Sequence, residues 1–243
     1  MAHRYFTQNI AGDVAHITGG DAAHLHRVLR AQPGTRLTLC DGAGHDYDAE
    51  ITSITAQAVV LRVLGSRPCV AEPSLWAEVF LGYSRGERMD LAVQKSVELG
   101  ASSITPFFSK NTVVKPKKID EKTTRLGRIA AEAAKQCGRG MLPQVHAPLP
   151  FAEMLEKAAA QPLALFAWEE EGQSLREVFA PGAPVPKSVA LITGAEGGFA
   201  PEEAAAARAA GCQWVHFGPR ILRSETAPAA LLCAVMLLSG NLE

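Results

Sequence analysis

Short β-branched runs separated by turn residues fill the first quarter of the chain, and longer apolar runs alternating with helix-period segments fill the rest. Residues 35–40, 48–54 and 58–64 have strand composition, and Pro33-Gly34 and the Asp41-Gly-Ala-Gly44 cluster supply turns between them. One helix interrupts this region, because Gly20-Asp21 offers an N-cap to residues 22–31 with Leu25, Val28 and Leu29 on one face. Strands so short and so closely spaced predict a small β-barrel. Residues 67–74 hold two prolines and no period, so the linker is placed there, between a domain at 1–70 and another at 74–243.

Beyond the linker the rhythm changes. Strands are expected at 75–83, 104–108, 162–168, 188–193 and 214–217. Helices are expected at 88–99, 122–137, 151–160, 201–210 and 226–239. Gly100, Gly138 and Gly211 stand where helices end, and Pro201 stands where one begins. Strands alternating with helices predict an α/β domain around a mostly parallel sheet.

Composition narrows the class. Apolar residues make up 47% and charged residues 20% of the 243 positions, within the range of water-soluble globular proteins. The longest apolar run, 229–238, is half of what a membrane span needs, and the first residues hold no apolar run that could serve as a signal. Five scattered cysteines (40, 69, 137, 212, 233) have no C-x-x-C spacing, which argues against a disulfide framework or structural zinc and predicts reduced thiols in the cytoplasm. Net charge is −1, yet residues 110–140 carry nine Lys/Arg against three acidic residues. That stretch reads equally as a phosphate-contacting face and as a solvated helix and loop.

Three loops follow expected strands at the carboxyl edge of the sheet, where α/β proteins bind ligands. They are Trp168-Glu-Glu-Glu-Gly172, Thr193-Gly-Ala-Glu-Gly-Gly-Phe199 and Gly218-Pro-Arg-Ile-Leu-Arg-Ser-Glu-Thr226. The second has three glycines in five residues, letting backbone approach a ligand, but lacks the lysine of a P-loop and the spacing of a dinucleotide fingerprint. In the third, Ile221 and Leu222 sit among Arg220, Arg223 and Glu225, and two aliphatics in a charged loop need core or a ligand ring to cover.

These residues carry a resemblance. Ile192-Thr-Gly-Ala-Glu-Gly-Gly-Phe199 followed by Phe217-Gly-Pro-Arg-Ile-Leu-Arg-Ser-Glu-Thr-Ala227 resembles the paired signature of the SPOUT superfamily, and more narrowly the 16S rRNA (uracil-1498 N3)-methyltransferase family. Arg4-Tyr-Phe6, His24-x-x-x-Val-Leu-Arg30, Gln94-Lys-Ser-Val-Glu-Leu-Gly100, Ile104-Thr-Pro106 and Glu132-Ala-Ala-Lys-Gln-Cys-Gly-Arg139 extend the match in order along nearly the whole chain. One departure is Ala195, where the family usually has proline.

The resemblance implies an N-terminal PUA-like β-barrel, a C-terminal sheet tied in a deep trefoil knot, and a homodimer. It implies methyl transfer from S-adenosylmethionine to N3 of a uridine in 16S rRNA, free or in the small ribosomal subunit, with no metal. On this reading Trp168, Thr193, Gly194, Glu196, Gly197, Gly198, Phe217, Gly218, Ile221, Leu222, Arg223 and Ala227 hold the cofactor. Uracil N3 becomes nucleophilic only when its proton leaves, so charge must be stabilised on the carbonyl oxygens. Arg223 is the expected stabiliser, its fork matching two acceptors, with Glu196 or Glu225 orienting it or taking the proton. RNA contacts are expected from Arg4, His24, Arg30, Lys95, Lys115, Lys117 and Arg139. The rival readings are a non-catalytic RNA-binding or ribosome-assembly protein of the same fold, and a SPOUT methylase with a different rRNA target.

Overall fold

The β-rich start of the chain folds into one curled, six-stranded sheet in a computed structural model that describes residues 4–113, 117–182 and 184–242. Its strands are β1 (Arg4–Phe6), β2 (Ile10–Ala11), β3 (Val14–Thr18), β4 (Arg36–Cys40), β5 (His45–Ile54) and β6 (Ala58–Pro68), in the order β1-β4-β5-β6-β3-β2. Every pairing is antiparallel except β1 with β4. Two register shifts in β5, at Asp48/Ala49 and Ile51/Ser53, bend the sheet as β-bulges do. Tyr5, Ile17, Leu25, Leu39, Ile51, Val59 and Leu61 fill its interior. The expected single helix is instead a short α1 (Gly19–Ala23) continuing as a π turn over His24–Val28. β6 runs through Arg67 and Pro68, so the first two residues of the expected linker lie in a strand.

The chain divides into two compact units, residues 1–72 with 134–142, and residues 73–133 with 143–243. Within the first, the returning segment is fixed by charge. Glu72 takes the Arg139 guanidinium at 2.8 Å and the backbone N–H groups of Gly140 and Met141 at 2.8 and 2.9 Å. Gly140 is obligatory there, because a Cβ would stand 2.6 Å from that of Cys69. Beside it, Arg4 grips Asp46 with both guanidinium nitrogens at 2.7 and 2.9 Å. Burial opposes the Asp46 charge, but the Arg4 contact outweighs it and holds the carboxyl below its ordinary value. Burial likewise pushes the neighbouring Cys40 thiol up to about 12, so it stays protonated and unreactive.

The second unit is the expected α/β domain. In chain order it contains β7 (Trp76–Gly82), α2 (Glu87–Glu98), β8 (Ser103–Phe108), α3 (Ile119–Cys137, whose last turn counts with the first unit), β9 (Gln144–Val145) and β10 (Leu149–Pro150). There follow α4 (Phe151–Ala159), β11 (Ala164–Ala167), α5 (Leu175–Val178), β12 (Ser188–Thr193), α6 (Pro201–Ala209), β13 (Gln213–Val215) and α7 (Thr226–Leu238). The sheet order is β10-β8-β7-β12-β11-β13, with β9 on β8, and every pairing is parallel. β8, β11 and β12 are buried almost throughout, which is why β11 and the centre of β12 read as apolar runs without alternation, while β8 buries Ser103 and Thr105 among its apolar residues. Phe80, Phe107, Phe166, Ile192 and Phe199 centre one core cluster, and α7 lays Leu231, Leu232, Val235 and Met236 inward. α5 went unforeseen, although Ser174 and Glu177 cap it reciprocally.

Candidate active site

Parallel strands deliver their following loops to one edge, and here three such loops, joined by Arg88 from the start of α2, meet around a cleft of about 300 Å³ within the second unit. These are the loops expected from the sequence, after β11, β12 and β13. A fourth loop, residues 83–86 between β7 and α2, was not foreseen; it stays outside the lining and braces the glycine loop through the Arg85 N–H. Its start is set by Gly82, the last residue of β7, where an added Cβ would fall 2.1 Å from the Ala195 nitrogen. Its end is set by Gly86, whose φ of +53° favours glycine at the α2 N-cap.

The glycine loop is shaped from several sides. Phe199 closes it, its ring tilted against Phe166 with centroids 4.1 Å apart, and a Cβ on Gly194 would meet the Phe199 ring at 3.2 Å. Asn111 donates from Nδ2 to the Gly197 carbonyl at 3.0 Å, and a Cβ on Gly197 would meet the Asn111 carbonyl oxygen at 2.8 Å. Gly198 has φ +63° and faces Glu169. At the head of α6, the buried Glu203 accepts the N–H of Ala200 at 2.9 Å and of Lys110 at 2.7 Å. Thr193 ends β12 with its hydroxyl buried and without a hydrogen-bond partner among the described residues, a polar group that a ligand can satisfy.

On the opposite wall, the Arg223 carbonyl accepts the N–H groups of Thr226 and Ala227, each at 2.8 Å, and so turns the chain into α7. This leaves the Arg223 side chain exposed, Leu222 half-buried and Ile221 82% exposed beside the cleft. An aliphatic so exposed is not core. Glu225 receives the Ser224 hydroxyl at 3.1 Å. Trp168 packs edge-on against Trp214 at 4.6 Å and forms part of the floor.

Of the residues expected to hold the cofactor, Trp168, Thr193, Gly194, Glu196, Gly198, Phe217, Gly218, Ile221, Leu222, Arg223 and Ala227 line this cleft, as does Glu225. Gly197 does not, because its carbonyl is turned to Asn111. Arg88, from the first turn of α2, lines the cleft and was missed. It donates to Glu196 Oε1 at 3.1 Å, and the Arg85 N–H reaches the same oxygen at 3.3 Å. Burial raises the cost of that charge, but the Glu196 N–H, the Arg85 N–H and the Arg88 guanidinium together keep Glu196 ionised below its ordinary range.

The residues expected to touch RNA separate into groups. Arg139 is 2% exposed at its side chain and committed to Glu72, and Arg4 is committed to Asp46, so neither is offered to phosphate. Each of these guanidinium groups is engaged by a carboxylate of its own unit. Lys95 is paired with Glu98 at 2.7 Å on α2. His24 is exposed on the π turn of the first unit, next to exposed His26 and Arg27, Arg30 is exposed two residues past that turn, and Lys117 is exposed ahead of α3. Lys115 lies outside the described residues.

Among the described residues, no helix is long and apolar enough to cross a membrane, and no group of three His, Cys, Asp or Glu side chains is arranged for a metal ion.

Comparison with known proteins identifies the scaffold. Residues 71–236 match the RNA methyltransferase domain, and residues 17–64 match the RNA methyltransferase PUA domain. The ribosomal RNA small subunit methyltransferase E of Synechocystis sp. is 31% identical over 91% of this chain and 72% of its own length. The enzyme of that name from Mycobacterium bovis is 30% identical over 95% of this chain and 88% of its own. The crystal structure of the Neisseria gonorrhoeae ribosomal RNA small subunit methyltransferase E, bound to S-adenosyl methionine, superposes with a TM-score of 0.87 at 28% identity, covering 98% of each chain. A parallel α/β unit with three loops around one cleft, preceded by a PUA unit, therefore has a known counterpart throughout its length: this chain belongs to the ribosomal RNA small subunit methyltransferase E family and is a ribosomal RNA methyltransferase.

Proposed function

We propose that this protein methylates N3 of one uridine in 16S rRNA, using S-adenosylmethionine bound in the cleft of the second unit. The observation that carries the reading is the convergence of the glycine loop and the Phe217–Ala227 loop on that cleft, where the Neisseria relative's name and bound ligand supply the chemistry. The donor set fits such a ligand. Thr193 offers an unsatisfied buried hydroxyl, Gly194 and Gly198 offer bare backbone, and Ile221 and Leu222 offer apolar cover for a purine ring. Trp168, Phe217, Gly218 and Ala227 complete the lining. When bound, S-adenosylmethionine supplies an electrophilic methyl group on a sulfonium.

The chain's own residues then have two tasks. Uracil N3 must lose its proton, and the resulting charge must be held on the ring oxygens until the N–C bond forms. Arg223 is exposed beside the cleft with its backbone fixed by the α7 cap, and we assign it to one carbonyl oxygen. Glu225, the carboxylate next to it, is assigned as proton acceptor. Exposed His24 and Arg30, with Lys117, are assigned to phosphates of the RNA, and the PUA match of the first unit supports its use as an RNA-binding module.

The family resemblance further supports a cytoplasmic homodimer acting on rRNA free or in the small subunit. The exposed Leu91 on α2 and Leu237 on α7, two helices that pack together, offer apolar surface to a second copy. Titration calorimetry with S-adenosylmethionine, combined with sedimentation, tests this reading. Binding near one cofactor per protomer in a dimer is expected, and a folded protein with no cofactor binding refutes it.

A further inference from the structure

The reacting base imposes a geometric condition that one arginine cannot meet. Loss of the N3 proton spreads negative charge over two carbonyl oxygens, O2 and O4, which flank N3 on either side in the ring plane. The methyl group must arrive at N3 along that plane, between them. A single guanidinium bridging both oxygens would lie across N3 and block the attack. Stabilisation of both oxygens with N3 left open therefore requires two separate donors, one to each side, and a guanidinium at each gives the strongest charge-assisted contact.

The cleft lining holds three arginines, Arg88, Arg220 and Arg223. Arg88 differs from the other two in being held by a carboxylate. Glu196 Oε1 accepts its NH1 at 3.1 Å and is itself braced by the Arg85 N–H at 3.3 Å, so the carboxylate is fixed from the β7–α2 loop as well as from its own glycine loop. The Arg88 side chain remains 46% exposed, and its one hydrogen bond among the described residues is the one to Glu196. A guanidinium has five N–H donors, so most of the fork stays open toward the cleft. Glu196 occupied in this way is a poor proton acceptor and a good anchor.

We infer that Arg88 supplies the second cation, binding the uracil oxygen on the side of N3 opposite Arg223, and that Glu196 is its positioning residue. The inference rests on the proposed uridine N3 reaction and deepens it. Methyl transfer leaves the balance unchanged: the N3 proton goes to the base, the N3 electron pair forms the N–C bond, and the S–C bond electrons return to sulfur. Preorganisation by Glu196 is what makes the contribution effective, because an arginine that must be ordered during reaction loses part of its gain.

The test uses the full-length protein with 16S rRNA under single-turnover conditions at saturating S-adenosylmethionine, comparing wild type with Arg88→Ala, Arg88→Lys, Glu196→Gln and the double variant Arg88→Ala/Glu196→Gln. Loss of one charge-stabilising donor typically costs about a hundredfold to a thousandfold in rate. Arg88→Ala is expected to lose a factor in that range while its calorimetric cofactor affinity stays within about threefold of wild type, and Arg88→Lys to recover part of the rate. Glu196→Gln is expected to slow wild type yet cost nothing more in the Arg88→Ala background, the pattern of two residues acting as one unit. Undiminished turnover in Arg88→Ala overturns the assignment. So does a loss of cofactor affinity that accounts for the whole effect, or an undiminished Glu196→Gln penalty without Arg88. Melting curves check that each variant is folded, and Arg88→Lys, which keeps the charge and bulk, decides the matter if Arg88→Ala unfolds. A wild type that makes no N3-methyluridine overturns the underlying reaction instead, and that result is separate because it appears before any variant is compared.

Discussion

Gly82 and Ala195 touch so closely that neither loop can be described without the other. A Cβ on Gly82 would stand 2.1 Å from the Ala195 nitrogen and 2.4 Å from the Gly194 carbonyl carbon, both backbone atoms with nowhere to retreat. Gly82→Ala must therefore push the glycine loop away from β7. Overpacking of this kind costs about 1–3 kcal/mol, which lowers the melting temperature by a few degrees. The larger effect is expected on cofactor affinity, a loss of about tenfold or more in calorimetry, because the displaced peptides belong to the cleft wall. An unchanged affinity would mean that the loop relaxes without consequence.

Arg223→Ala separates binding from chemistry. The backbone of residue 223 caps α7 through its carbonyl, and alanine keeps that carbonyl. The side chain alone is lost, so cofactor affinity is expected to be largely retained while turnover falls by about a hundredfold or more. Stopped single-turnover assays at saturating cofactor check this. A collapse of cofactor binding with a normal saturated rate would reassign Arg223 to binding.

Glu72→Ala is expected to be among the most destabilising single changes in the first unit. It removes the acceptor of the Arg139 guanidinium, whose side chain is only 2% exposed, and of two backbone N–H groups. Breaking a buried pair from one side costs about 3–5 kcal/mol, measurable by urea denaturation. Exchange of Arg139 alone tests the same contact from the other side.

Asp46 gives the first unit an acid-sensitive contact. Its native pKa lies below the ordinary value of 3.8 despite burial, because the Arg4 contact favours the charged form. A carboxyl lowered in the folded state contributes stability that is present above pH 3.8 and is lost as pH falls through its native value. Asp46→Asn should therefore be less stable than wild type at neutral pH, and the gap should narrow below pH 3.8. Urea unfolding followed from pH 6 down to about pH 2 checks the sign.

Legibility in the sequence followed burial. β12 was read to the residue at 188–193 because a strand covered on both faces is an uninterrupted apolar run bounded by polar turn residues. Strand β1 and the two-residue β2, β9 and β10 were missed, since so few residues carry no period. The three loops after β11, β12 and β13 were found by their glycines and misplaced aliphatics, whereas Ser84-Arg-Gly-Glu87 looks like any polar turn. The pair of glycines at 82 and 86, bracketing a strand end on the same sheet edge, was the signal available for it. Charge counting left the basic stretch 110–140 undecided between a phosphate face and a solvated helix and loop, and in the structure Lys110 pairs with Glu202, Lys118 with Glu121, Arg125 with Asp90, Lys135 with Asp21 and Arg139 with Glu72. Those partners are distant in sequence for four of the five, and no linear sum of charges can reveal them. The knot was carried by the family resemblance alone, because threading leaves no trace in periodicity.

The target atom is what separates an N3 methylase from its relatives of other chemistry. Small-subunit rRNA lacking the modification, incubated with this protein and isotopically labelled S-adenosylmethionine, can be digested and mapped by mass spectrometry to the methylated nucleotide and position. One uridine carrying the label on N3 is the result predicted here. Label on a ribose 2′-oxygen, on another base, or nowhere in the RNA would contradict it.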